Sequence, residues 1–187
     1  GSFFAILAVG STVFSNDLGI NSTGFGLIWS SMTILYASAA FLSGNLSTKI
    51  GLMSVMRIGM LLNLLSGVMF FTSIAIFGVT LFSIITPLVI MFFAHGFIVP
   101  TSMTKAVSDR PEIAGSSSGL SSALGLVTGG LFSILSGAVY AGSFLPISFI
   151  VMASTIMCSL SYSLIKWGEK SNYFSLLAPH LSCFLFS

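Results

Sequence analysis

An all-α membrane protein built of six transmembrane helices is the fold class that this sequence predicts, on three observations. Of 187 residues, 55% are hydrophobic and 5% charged, and the mean hydropathy is +1.08. Soluble domains carry about 25% charged residues, so ten charged side chains cannot clothe a chain of this size in water. Apolar runs near the roughly 20 residues that a bilayer requires recur between short polar breaks. All six Lys and Arg residues fall on one side of a six-span arrangement. The same numbers exclude a disordered chain and a nucleic-acid binder, because a net charge of +2 is spread thinly with no basic patch. Membrane lipid is the surrounding the composition demands. The two cysteines, Cys158 in an apolar run and Cys183 near the end, make neither a disulfide framework nor a metal-binding spacing.

The first run, 3–14, is twelve residues long and reaches only about 18 Å. It starts without Met or a basic flank, so a signal peptide is not indicated. The expectation is a chain that begins inside a helix, with upstream sequence missing. The second span, 25–42, follows a polar stretch holding Asp17 and ends in a connection, 43–51, holding Lys49. The third, 52–76, and the fourth, 79–104, are separated by Phe77 and Gly78 alone. A charged connection, 105–115, follows, in which Pro111 and Gly115 frame the start of the fifth helix and a serine run can cap its free N–H groups. The fifth span, 116–139, and the sixth, 143–165, are joined by a tight turn. Residues 1–167 thus read as one six-helix domain, its first helix truncated, and 168–187 as a short cytoplasmic tail with no assigned function.

Basic residues mark the orientation. Lys49 and Arg57 lie at the second junction, Lys105 and Arg110 at the fourth, and Lys166 and Lys170 after the sixth span. Positive charge accumulates on the cytoplasmic side, which places both termini there and makes Lys49 and Arg57 cytoplasmic anchors. A faint repeat accompanies this order. Shifting 25–44 by 93 residues onto 118–137 gives five identities in 20 positions: Gly26/Gly119, Leu27/Leu120, Leu42/Leu135, Ser43/Ser136 and Gly44/Gly137. These are the second and fifth spans, which run in opposite directions, as in the inverted repeats of secondary transporters. Similar composition of two Ser/Gly-rich helices is the other explanation.

Candidate chemistry is sparse. No span holds Asp or Glu in its middle, and His95 and His180 are not spaced as a metal pair. No catalytic residue, metal or cofactor is therefore implied, and an enzyme is not expected. His95 is the one ionisable group deep in a span. It either meets substrate or satisfies carbonyls freed in a helix broken near Gly96 and Pro100. Trp29 and Tyr36, seven apart on one helix face, either line a cavity for flat organic molecules or pack. Asn63 is expected to bond a neighbouring helix. Gly115, Gly119 and Ala123, and likewise Gly125 and Gly129, recur at every fourth position, which lets helix backbones approach closely in a sliding or a static contact. Ser118 and Ser122 offer hydroxyls either to a substrate or to their own helix carbonyls.

Three motifs in order carry a resemblance. Ala114-Gly115-Ser116-Ser117-Ser118-Gly119-Leu120, with Gly129-Gly130 behind it, resembles an AGTAS…GA pattern. Gly96-Phe97-Ile98-Val99-Pro100 resembles a G-x-x-x-P at the end of a tenth helix. Asn45-Leu46-Ser47-Thr48-Lys49-Ile50-Gly51, followed by Arg57-Ile58-Gly59, resembles a worn G-x-L-x-D-R-x-G loop. Together they are similar to the carboxyl-terminal half of the bicyclomycin-resistance-type multidrug efflux transporters of the major facilitator superfamily. Thr48 replaces the loop Asp, Ser11 stands where relatives commonly have Pro, and Gly125 where some have a larger polar residue. The resemblance covers roughly 3–166. It implies half of a twelve-helix bundle in a bacterial inner membrane, and a proton-coupled antiporter of drugs or other small organic molecules whose amino-terminal six-helix half is missing here. On it, Trp29, Tyr36, His95, Ser118 and Ser122 border the substrate pathway. Gly44, Lys49, Gly51, Arg57, Pro100 and the fifth-span glycines pack or gate. A complete six-span scaffold or assembly protein without transport activity is the alternative, and a homodimeric transporter is another.

Overall fold

The six runs become six helices: α1 (Ser2–Asn16), α2 (Ser22–Ile50), α3 (Leu52–Phe77), α4 (Leu81–Asp109), α5 (Ala114–Val139) and α6 (Leu145–Lys170). The computed structural model describes residues 2–109, 111–140 and 142–170, and among these there is no strand. Among the described residues five helices are long and apolar enough to cross a membrane, and α1 is shorter. The chain is a multi-pass, all-α membrane protein. The tail beyond 170, with His180 and Cys183, lies outside the described residues, while α6 itself continues three residues past the expected boundary at 167.

Element ends follow capping chemistry. Asn21 Oδ1 accepts the N–H of Gly24 at 2.9 Å and opens α2. Thr80 and Ser83 satisfy each other's backbone N–H at 3.0 and 3.1 Å, a reciprocal cap for α4. Gly51 and Gly78, with φ of 85° and 67°, end α2 and α3 in a backbone region that favours glycine. Two expected connections are corrected. Residues 43–50 are helical, so Lys49 lies in the last turn of α2 and Gly51 alone separates α2 from α3. Likewise Lys105 lies in α4, and only a 3-10 turn at Pro111–Ile113 precedes α5. Polar residues do not stop a helix that is emerging into water, whereas a positive-φ glycine does.

Buried side chains of α1, α3, α4 and α6, among them Phe14, Phe70, Leu88 and Ile147, form the main core with Met32 of α2. α4 is the central helix, with 61% of its most apolar stretch buried, against 11% for α2 and 17% for α5. It packs on α3 and α2, while α3 packs on α6 and α5 on α1. Lesser contacts join α4 to α5, α1 to α6, α2 to α3, α1 to α2 and α5 to α6. Exchanging α1 with α4, α2 with α5 and α3 with α6 leaves this set of pairings unchanged. The five repeated identities also share their degree of exposure, although the Ser43 hydroxyl donates to Ala40 O while that of Ser136 has no partner among the described residues. Ser43 and Ser136 are both fully buried, and Leu27, Leu42, Leu120 and Leu135 are all exposed by 47% or more. A Cβ added at Gly26, Gly44, Gly119 or Gly137 would meet open space. The two three-helix units thus share their helix pairings, although α3 and α4 pack far more extensively than their counterparts α6 and α1.

Three connections without Lys or Arg meet at one end of the bundle. Asn16 and Asp17, Gly78 and Val79, and Gly142 and Ser143 line one opening of about 590 Å³ there.

Candidate functional site

α4 carries Pro87 and Pro100 inside its length. Each proline removes an N–H and so strands the carbonyl four residues earlier. For Pro87 that carbonyl belongs to Ser83, and the Ser73 hydroxyl of α3 donates to it at 2.8 Å. For Pro100 it belongs to Gly96. His95 does not serve it: Nδ1 lies 3.0 Å from the Met91 carbonyl, one turn earlier on its own helix. The expected pairing of His95 with a proline-freed carbonyl is thus corrected to a local bond.

Gly96 decides where α4 meets α2. A Cβ there would lie 2.6 Å from Ala39 Cβ, 2.7 Å from Tyr36 O and 2.9 Å from Ala40 N, so only glycine allows this crossing. The crossing brings Trp29 and Tyr36 of α2 beside Phe92 of α4. Phe3 of α1 packs edge-on to Phe92 with ring centroids 4.3 Å apart, and Trp29 does so at 5.4 Å. Phe3 also lies tilted over His95 at 4.2 Å. The rings enclose an open cleft of about 250 Å³, lined by Phe3, Phe4 and Leu7 of α1, Trp29, Thr33 and Tyr36 of α2, and Phe92 of α4. No lining side chain is charged, and the Thr33 hydroxyl donates back to Trp29 O at 3.0 Å. Apolar and aromatic walls with few polar groups are the usual make-up of a small-molecule site.

Three of the five expected pathway residues come together here. Trp29 and Tyr36 line the cleft, and His95 is buried directly behind Phe3. Ser118 and Ser122 sit apart on α5, where their hydroxyls donate to Gly115 O and Ser118 O, each at 3.0 Å. They satisfy their own helix. Phe3, Phe4, Leu7, Thr33 and Phe92 are cleft residues absent from the expected set. Thr33 falls on the Trp29–Tyr36 face and Phe92 lies one turn from His95, which was the readable signal.

The packing set divides as well. A Cβ at Gly129 would press on the Phe4 ring at 2.5–2.9 Å, and Gly125 is buried on the same row. Gly115 and Gly119, like Gly44, have nothing within reach. Lys49, Gly51 and Arg57 are exposed, and Pro100 is half-buried in α4. Two further close contacts are made by Gly59, against Phe97 and Ile98 of α4, and by Gly67, against Thr155 of α6. Asn63 Oδ1, expected to bond a neighbouring helix, is buried and accepts no hydrogen bond.

The chain is 22% identical over 162 residues to a bicyclomycin resistance protein homolog of Haemophilus influenzae. The alignment takes in 87% of this chain and 40% of that protein, so the chain spans about two-fifths of its relative's length. No family model and no solved structure matches the chain. The chain is thus distantly similar to part of that resistance protein.

Proposed function

We propose that this chain is the carboxyl-terminal six-helix half of an alternating-access efflux transporter for small organic molecules. The observation that carries the reading is a pseudo-symmetry of the bundle: the set of helix pairings, and the exposure or burial of the five repeated positions, are kept when the two three-helix units are swapped. Inverted repeats with a site where they meet are a working plan of secondary transporters. The relative named for bicyclomycin resistance supports drugs as the cargo class, and the aromatic cleft supplies a place for them. The little-buried α2 and α5 present the repeated Gly and Leu residues outward, which suits a second six-helix body docked over the cleft. A proton carrier belongs to that second body, since no span of this chain holds Asp or Glu. Both ends face the cytoplasm of a bacterial inner membrane, with Asp17 on the opposite side.

The test is an efflux assay. Residues 1–187 expressed alone are expected to give no drug tolerance, and joining them to a matching upstream six-helix half is expected to give it. Proton-gradient-dependent efflux by the lone chain would overturn the proposal and favour the homodimer. A joined protein that folds and reaches the membrane without transporting would favour the scaffold.

A further inference from the structure

We infer that His95 Nε2, behind the Phe3 ring, is the hydrogen-bond acceptor of the aromatic cleft, and that the cleft takes planar organic molecules carrying an N–H or O–H donor. The inference rests on the cleft being the substrate site.

The tautomer is set by geometry. A carbonyl oxygen only accepts, so Nδ1, 3.0 Å from Met91 O, carries the proton. An imidazolium would be a buried charge without a counter-ion, because no span of the chain contains Asp or Glu. The ring is then neutral, and Nε2 is the nitrogen that carries the lone pair. Phe3 both lines the cleft and packs on the imidazole, so Phe3 is the side chain that must give way for a ligand in the cleft to reach Nε2. The other polar groups differ in kind. The Thr33 hydroxyl gives its proton to Trp29 O and keeps its oxygen lone pairs, so Thr33 and Tyr36 are the rival acceptors. Trp29 and Phe92 supply ring faces and edges for a flat partner, and Nε2 supplies the direction.

The experiment compares 2-naphthol with its methyl ether on the full chain in detergent. The two share one aromatic skeleton, and only the first donates a hydrogen bond. Binding of 2-naphthol about tenfold tighter than its ether is expected, the worth of one well-made hydrogen bond in a dry site. The preference should persist in Tyr36→Phe and in Thr33→Val and vanish in His95→Leu. Should His95→Leu fail to fold, 15N-histidine NMR of the native sequence decides, with His95 told from His180 by a His180→Ala variant. The Nε2 resonance should start unprotonated and move with 2-naphthol but not with the ether. Equal binding of both compounds, loss of the preference in Tyr36→Phe or Thr33→Val with His95→Leu unaffected, or a protonated Nε2 before ligand overturns the inference while the cleft stands. If neither compound binds, the cleft itself falls as a substrate site, and the anchor with it.

Discussion

Gly96 and Gly129 hold backbone or ring contacts that no larger residue fits, whereas Gly119 faces open space. Overpacking typically costs about 1–3 kcal/mol. Gly96→Leu and Gly129→Leu should therefore lower the melting temperature of the detergent-solubilised chain. Gly119→Leu should stay within about 0.5 kcal/mol of the parent, as surface changes do. Equal losses at all three positions would show that helix propensity, not packing, governs them. The residues that carry these contacts were only partly legible in the sequence. Gly129 was readable because its row repeats every four positions. Gly59 and Gly67 were not, because their partners Phe97 and Thr155 lie on other helices and pairing is a tertiary fact. Trp29 and Tyr36 were readable because both are scarce types on one face. Phe3 and Phe92 were hidden among 18 phenylalanines, any of which an apolar helix accommodates.

On the scale of one element, α4 depends on a neighbour to complete its backbone. The Ser73 hydroxyl fills the place of the N–H that Pro87 lacks, and the Ser83 carbonyl receives it at 2.8 Å. Ser73→Ala leaves that carbonyl buried and unsatisfied, at a cost of about 1–2 kcal/mol. Pro87→Ala restores the helix's own donor, so in that background Ser73→Ala should cost much less. Reversible unfolding of the four variants measures the coupling, and strictly additive losses would contradict the carbonyl account. Elements were the most legible level of this protein, since a bilayer permits little besides apolar helices. Their ends were not. The polar residues of 43–50 and 105–109 read as loops, yet they stay helical because the helix leaves the membrane before its hydrogen bonds run out.

The whole bundle has two unlike surfaces. At one end the connections without basic residues share an opening near Asp17, and Lys49 and Arg57 lie exposed near the Gly51 turn between α2 and α3. Cysteines placed at positions 17 and 48 should react with an impermeant reagent in intact cells at 17 and not at 48. The reverse pattern would invert the topology. Laterally, α2 and α5 turn Gly26, Gly44, Gly119 and Gly137 to the outside in repeat-related pairs. The proposed reading as one body of two fits a chain that spans two-fifths of its relative's length and carries two helices this little buried.

That claim is tested most directly by one stability measurement made in two contexts. Gly26→Leu and Gly119→Leu are introduced into the lone chain and into the chain joined to an upstream six-helix half, and the melting temperature of each is read in detergent. If the open glycine face receives the second body, the substitutions leave the lone chain unchanged and lower the melting temperature of the joined protein. Equal effects in both contexts would contradict it, and the exposed face of α2 and α5 would then belong to lipid.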